Sequence, residues 1–372
     1  MSSSGKRRVA VTGGGTAGHI LAALEILSAY RKEFGCDGLF IGSDWGFETR
    51  LAPGTEERTE LIPARPWARQ SWQGRMRAVT GNLRAFLAAR RILRREKTEL
   101  VIGTGGYASV ATCLAGWTLG LRVAIHEANA VPGMANRLLL HVADLICADS
   151  EQTARCFGER HVVVTGTPCY SLPSSGATPV PPYRFIVLGG SEGSPWLNRR
   201  VPELFAELHR KRTDFTVHHL TGMDAPDATQ ASYDGAGIPA RVEGWVADMS
   251  RIYAGATMAI ASPGARTLAE LASAGIPSLL TPLPGIAHDH HDVNGRLWSD
   301  HGGARYVGEA EWDGHELAEW IASLLSRPEV LREMGEKMHS RARLGAAVEI
   351  VREAEKLFGE EATAEVASRA SS

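Results

Sequence analysis

Short apolar runs recur along the chain, and many of them lead into glycines and then into apolar residues at helical spacing. Arg8 to Thr12 (RVAVT) is a β-prone run, Gly13 to His19 is a glycine loop, and Ile20 to Phe34 has the periodicity of a helix. Leu39 to Gly42 predicts a second strand and Glu99 to Gly103 a third, followed by Gly105-Gly106-Tyr107 and an apolar helix. Arg122 to His126 predicts a further strand ending at Glu127. The second half repeats the pattern. Arg184 to Leu188 runs into Gly189-Gly190-Ser191-Glu192-Gly193-Ser194, and Thr216 to Leu220 is a candidate strand. Met258 to Ala261 is followed by Ser262-Pro263-Gly264-Ala265 and a helix through Ala274, and Ser278 to Thr281 leads into a loop rich in Pro, Gly and His.

Strands that alternate with helices predict an α/β chain with parallel sheets covered on both faces. Each half opens with strand, glycine turn and helix, so two Rossmann-like domains are expected to face one another across a cleft. At 372 residues the chain has room for two domains of ~100–200 residues each. The expected division is 1–168, 169–342, and a C-terminal helix over 343–372 packing back on the first domain, its tail frayed from about Glu360. The joint is expected near Gly166-Thr167-Pro168 and the Ser/Pro-rich stretch from Leu172 to Pro182. A ligand would bind at the carboxyl ends of the strands.

Composition narrows the function classes. A formal net charge of −2 argues against a general nucleic-acid binder. The five cysteines (Cys36, Cys113, Cys147, Cys156, Cys169) contain no CxxC pair, which favours reduced thiols in a cytosolic protein. No run approaches ~18 apolar residues, so neither a membrane span nor an export signal is expected. The charge is nevertheless uneven. Between Arg65 and Lys97 there are ten Arg or Lys residues and one acid, Glu96, interleaved with Trp67, Trp72, Met76, Leu83, Phe86 and Leu87. Such a segment suits an anionic lipid surface, or it is a solvated Arg-rich helix covering the sheet.

Gly13-x-Gly15-x-x-Gly18 after a strand fits a dinucleotide-binding turn, with Asp44 placed to meet a ribose. That keeps an NAD(P)-dependent oxidoreductase open. The second half adds two further candidate helix N-termini, at Gly189-Gly190-Ser191 and at Ser262 to Glu270, which together describe a nucleotide-sugar site better than a hydride-transfer site. The run His288-Asp289-His290-His291-Asp292 raises a metal reading, although adjacent ligands in one loop rarely close a tetrahedral site.

Several stretches carry a specific resemblance. They are GGGTAGH (13–19), GTGGY (103–107), HEANAVPGMANR (126–137), GGSEG…LN (189–198), GWVADM (244–249) and SPGARTLAELASAGIPS (262–278). In this order, over nearly the whole chain, they resemble the MurG family of bacterial N-acetylglucosaminyltransferases. The resemblance implies a GT-B fold and inverting transfer from UDP-N-acetylglucosamine to a lipid-diphosphate-linked sugar. No cofactor or metal is implied, and the chain has no Asp-x-Asp motif in a loop suited to metal–diphosphate binding. It implies donor binding by Gly190, Ser191 (diphosphate), Val246 (backbone to uracil), Ala265, Thr267, Glu270 (ribose), His290 and His291. It implies acceptor binding by Gly14, Gly15, Thr16, Gly18, Tyr107, Asn129 and Asn136. It also implies a peripheral position on the cytoplasmic membrane face.

The base that takes the acceptor proton is His19 or Glu127. The alternatives are that His19 orients its loop and that Glu127 is a structural carboxylate. Departures from the family pattern are Tyr170 and Ser262 where Arg is usual, Glu192 where Gln is usual, and His290-His291 where Gln is usual. They raise a second reading, a related transferase of specialised metabolism with another sugar or a soluble glycoside acceptor, and a third, a nucleotide-sugar-binding protein without activity.

Overall fold

The computed structural model describes residues 6–46, 57–66, 72–172, 174, 176–246, 248–282 and 289–370. The chain divides into two compact units, Met1–Cys169 with Gly345–Ser372, and Tyr170–Leu344.

In the first unit the strands are β1 (Arg8–Thr12), β2 (Asp37–Ser43), β3 (Thr59–Ile62), β4 (Leu100–Gly103), β5 (Arg122–Glu127), β6 (Leu145–Ala148) and β7 (Val162–Val164). All pair in parallel, in the order β3-β2-β1-β4-β5-β6-β7. The helices are α1 (Ala17–Phe34), α2 (Trp72–Arg95), α3 (Gly106–Trp117), α4 (Met134–Leu139) and α5 (Glu151–Arg155). A later helix, α13 (Ala346–Ala370), returns to this unit. It joins α1 on one face of the sheet, where Ile350, Val351 and Leu357 pack with Ile26, Leu27 and Tyr30. Arg7 fastens it, with Nε 3.0 Å from Glu355 and its guanidinium 3.6 Å over the Phe358 ring. The other face is covered by α2 and α3 through Ala85, Ala89, Leu93, Ala111 and Ala115. Their small residues let the helices lie close to the sheet. α1 ends where Gly35 takes the left-handed conformation (φ 65°) and donates to Arg31 O, with Arg31 and Lys32 in its last turn.

The second unit holds β8 (Tyr183–Leu188), β9 (Phe215–Leu220), β10 (Ala240–Glu243), β11 (Met258–Ala261), β12 (Ser278–Leu280) and β13 (Ala304–Tyr306). They are also all parallel, ordered β10-β9-β8-β11-β12-β13. The helices are α6 (Pro195–His209), α7 (Asp227–Gly235), α8 (Ser250–Tyr253), α9 (Ala265–Ala274), α10 (Asp289–Asp300), α11 (Gly314–Leu325) and α12 (Pro328–Ser340). Phe185, Phe205 and Phe215 form one core, with ring centroids 5.0–5.7 Å apart. On the opposite face Ile186 and Leu188 pack with Leu268, Leu271 and Trp298.

Both sheets reverse direction at their first strand, between β1 and β4 and between β8 and β11. These switch points are where α/β sheets bind ligands. Among the described residues no helix is long and apolar enough to cross a membrane.

Candidate functional site

At the first switch point the two glycine loops interlock. Gly14 N donates to Gly105 O at 3.2 Å. Gly106 has φ 81°, and a Cβ there would lie 2.0 Å from Gly14 O, so only glycine allows the approach. Thr104 Oγ1 donates to His19 O at 2.8 Å. Neither α1 nor α3 has a side-chain cap on its first turn, which leaves both helix starts suited to an anion or polar ligand. Gly15 and Thr16 lie at the mouth of this turn. The Tyr107 ring covers Gly15, and its hydroxyl donates to Trp45 O at 3.3 Å.

His19, half-buried, has Nδ1 3.1 Å from Gly14 O and 3.4 Å from Thr16 Oγ1. A carbonyl only accepts, so in the neutral ring Nδ1 carries the proton and Nε2 presents a lone pair. Nε2 lies over Gly105, where a Cβ would sit 3.0 Å from it.

Glu127, only 3% exposed, sits at the end of β5 and receives four hydrogen bonds. Oε1 accepts from Asn129 N at 2.9 Å and Asn129 Nδ2 at 3.0 Å; Oε2 accepts from Gly133 N at 2.9 Å and Asn136 Nδ2 at 2.9 Å. Asn136 also donates to His126 O at 2.9 Å, and Arg137 Nε to Pro132 O at 2.9 Å. The segment 126–137 is therefore a knot tied to one carboxylate, which gives its unusual sequence a physical reason. Asn136, expected beside the acceptor, is buried with both amide hydrogens committed to this knot. His126 Nε2 donates to Gly166 O at 2.9 Å, and burial pushes its pKa down to about 4, so it is neutral.

In the second unit Gly190 and Gly193 form a tight turn, with Gly193 N donating to Gly190 O at 3.2 Å. A Cβ on Gly193 (φ 83°) would lie 2.0 Å from Thr221 O. The helix after this turn begins at Pro195, later than expected. Ser194 caps it by accepting from Leu197 N at 3.1 Å, and Ser191 stands four residues before it, half-buried. Glu192 is exposed. α9 starts at a Gly264 cap with no side-chain partner for its first turn, which contains Ala265 and Thr267. Val246 is buried in the core beside Leu220 and Ile252.

Glu270 is also buried. Its Oε2 accepts from Tyr253 Oη at 2.7 Å, and Oε1 lies 2.8 Å from Arg266 Nε. The Arg266 guanidinium lies 5.2 Å from the centre of the Tyr170 ring. His290 and His291, expected in a loop, fall in the first turn of α10; Asp289 and Asp292 at that helix start favour helix over loop. Burial pushes His291 down to about 4. His288 lies outside the described residues, and among those described no three His, Cys, Asp or Glu residues cluster as a metal site.

Residues 9–147 match the glycosyltransferase family 28 N-terminal domain and residues 185–350 its C-terminal domain. The UDP-N-acetylglucosamine--N-acetylmuramyl-(pentapeptide) pyrophosphoryl-undecaprenol N-acetylglucosamine transferase of Chromohalobacter salexigens is 35% identical over 92% of this chain and 95% of its own. The chain belongs to glycosyltransferase family 28. It is an enzyme of the glycosyltransferase class, with the two parallel α/β domains of the GT-B fold. The Acinetobacter baumannii MurG crystal structure superposes with a TM-score of 0.73 at 27% identity, over 94% of this chain and 99% of that one. A putative UDP-N-acetylglucosamine 2-epimerase from Listeria monocytogenes shares the fold, with a TM-score of 0.70 at 15% identity.

Within this family 28 chain Gly13 and Gly15 of the apparent dinucleotide fingerprint pack closely against Thr104 and the Tyr107 ring, and Asp44 is ion-paired with Arg65. Three supporting residues escaped the sequence reading. Arg266 holds Glu270. Asn294 Nδ2 donates to Pro263 O at 3.1 Å and fixes the turn before α9. Asn198 joins His219, Thr221 and Asp224 behind the Gly193 turn. Asn198 and Arg266 left a signal, inside the stretches 189–198 and 262–278; Asn294 left none.

Proposed function

We infer that this enzyme transfers N-acetylglucosamine from UDP-N-acetylglucosamine, with inversion, to a hydroxyl of a lipid-diphosphate-linked N-acetylmuramyl-pentapeptide. The observation that carries this reading is identity with relatives of that named activity across both units, at 35% over 92% of the chain. The geometry is compatible with a division of labour. His19, with its Nε2 lone pair, takes the acceptor proton, a role worth ~10²–10⁴-fold. Glu127 organises the 127–136 loop, so that Asn129 and the turns holding Gly14, Gly15, Thr16, Gly18 and Tyr107 meet the acceptor. The uncapped start of α9 at Ala265 and Thr267, with Gly190 and Ser191, receives the diphosphate and stabilises the leaving UDP by aligned N–H dipoles. Val246 meets the base, Glu270 the ribose, and His290 and His291 the sugar.

The acceptor's lipid calls for a membrane-facing surface. On α2 Val79, Leu83 and Leu87 are exposed at four-residue spacing, beside exposed Arg84, Arg91 and Arg94. Arg90 donates to Thr118 O at 3.0 Å, joining α2 to the end of α3, where Trp117 is exposed. This patch would dock on anionic lipid at about 1 kcal/mol per cation. Arg69, Trp67 and the side chains of 72–78 lie outside what is described. UDP release from a panel of UDP-sugars, with and without the lipid-linked acceptor, tests the reaction. Turnover with another donor and a soluble acceptor would replace it with the specialised-metabolism reading.

A further inference from the structure

Doubly wound sheets are normally apolar on both faces, yet one face of the second sheet turns basic near the starts of its strands. Arg184 of β8 pairs with Thr216 of β9, and His218 of β9 pairs with Arg241 of β10. In-register parallel neighbours point to the same side, so these four side chains share a face. Arg251 of α8 joins them, and together they line an open pocket of about 530 Å³. Its residues lie at the N-terminal ends of the strands, whereas the Gly189–Ser194 and Ser262–Gly264 turns follow the C-terminal ends. The pocket is thus separate from the two turns read as the diphosphate site, although Glu243, the last residue of β10, stands three residues before Val246.

The charge in this pocket does not balance. Three guanidinium groups face one carboxylate, Glu243. Arg241 reaches it at 3.0 Å through Nε and at 3.0 Å through Nη2, and Arg251 at 3.3 Å through Nη2. Glu243 therefore holds two planar forks side by side. Each guanidinium carries five N–H donors; among the described residues, the bonds to Glu243 engage two on Arg241 and one on Arg251. Arg184 is anchored beneath them by Arg251 O at 3.2 Å. His218 accepts from Arg184 at Nδ1 (3.4 Å) and donates from Nε2 to Glu243 (2.6 Å). Burial keeps His218 below its ordinary pKa, and burial together with the nearby Arg241 charge lowers that of Arg184. Burial is the main cause of both shifts.

We propose that this pocket is a binding site for a small, soluble phosphate-bearing dianion, held by the Arg241 and Arg251 forks with Thr216 and Arg184 at its floor. Three arginines against Glu243, with Asp248 within electrostatic reach of Arg251, leave at least one positive charge to be matched. Paired guanidinium forks fit phosphate oxygens bidentately, and the volume lies within the ~300–1,000 Å³ of small-molecule sites.

The test is calorimetric titration of inorganic pyrophosphate into the full-length protein saturated with UDP, which blocks the donor site on the reading given above. A remaining site that depends on Arg241 and Arg251 is expected, distinct from any binding at the acceptor turns. Arg241→Ala combined with Arg251→Ala should weaken this site at least a hundredfold while leaving UDP affinity and any binding at the acceptor turns unchanged. Glu243→Gln, which removes the competing charge, should tighten it severalfold and needs no arginine to be lost. Absence of pyrophosphate binding, binding unaltered in the double variant, or weaker binding in Glu243→Gln would each overturn the proposal. Sedimentation with phosphatidylglycerol vesicles separates the two sources of phosphate. A soluble ligand predicts equal sedimentation of wild type and double variant, whereas loss confined to the double variant overturns it in favour of a lipid headgroup. If UDP itself does not bind, the proposed function fails, and titration without UDP still reads the pocket through the same variants.

Discussion

Replacing Glu127 with Gln keeps the shape of the side chain and exchanges one acceptor oxygen for an NH2 group. Whichever way the amide turns, that group meets two donors. They are Asn129 N (2.9 Å) and Asn129 Nδ2 (3.0 Å), or Gly133 N (2.9 Å) and Asn136 Nδ2 (2.9 Å). Hydrogen bonds to a charged group contribute about 1.5–3 kcal/mol each, so two lost at a buried site amount to about 3–6 kcal/mol. The segment 129–133 can relieve part of this by opening locally, which limits the global loss to roughly 2–4 kcal/mol. Urea unfolding measures the global term, and amide hydrogen exchange at Asn129 and Gly133 measures the local one. Both should change together, with Gly133 exchanging well before the surrounding sheet. A role for Glu127 purely as a base predicts the reverse, a fall in kcat with stability and Gly133 protection intact. Stability within about 0.5 kcal/mol of wild type, the range of neutral surface changes, with Gly133 still protected would refute the reasoning.

His19→Gln should lower kcat by ~10²–10⁴-fold with UDP affinity retained; an unchanged kcat would remove His19 from proton transfer. Arg266→Ala leaves the buried Glu270 carboxylate with Tyr253 as its one partner among the described residues and should cost about 3–5 kcal/mol in urea unfolding, and adding Glu270→Gln should recover much of that loss. Stability should also depend on pH through the buried histidines. Burial lowers His126 from its ordinary 6.5 to about 4, so the unfolded chain binds the proton that the folded chain refuses. Its share of stability is complete above about pH 6.5 and declines by about 3 kcal/mol as pH falls to 4; His219 and His291 act in the same direction. An unfolding free energy that stays flat from pH 7 to pH 4 would contradict this.

The strands legible in the sequence were those with long apolar runs, such as Arg122–Glu127 and Arg184–Leu188. β3, β6, β7, β10 and β13 are three or four residues long and too short for a periodicity to show; β4, β11 and β12 are as short and were legible only from the Gly- or Pro-bearing loops that follow them. The glycine turns were legible because backbone approach demands glycine, as at Gly106. What they do was not, because a turn that packs against another turn and a turn that holds a phosphate share one pattern. Helix starts were displaced where capping decided them: Ser194, not Ser191, opens α6, and the acid-flanked His290-His291 begin α10. The basic pocket arises from cross-strand register, which no local pattern carries, whereas Arg266 and Glu270 stand four apart on α9, a spacing that local pattern does offer.

The central claim is tested most directly by incubating the enzyme with UDP-N-acetylglucosamine and polyprenyl-diphosphate-linked N-acetylmuramyl-pentapeptide, and measuring UDP together with the lipid product. UDP release should depend on the acceptor and match formation of a β-linked N-acetylglucosaminyl product one for one. No product from this pair, with turnover of a different donor or acceptor or none at all, would contradict it.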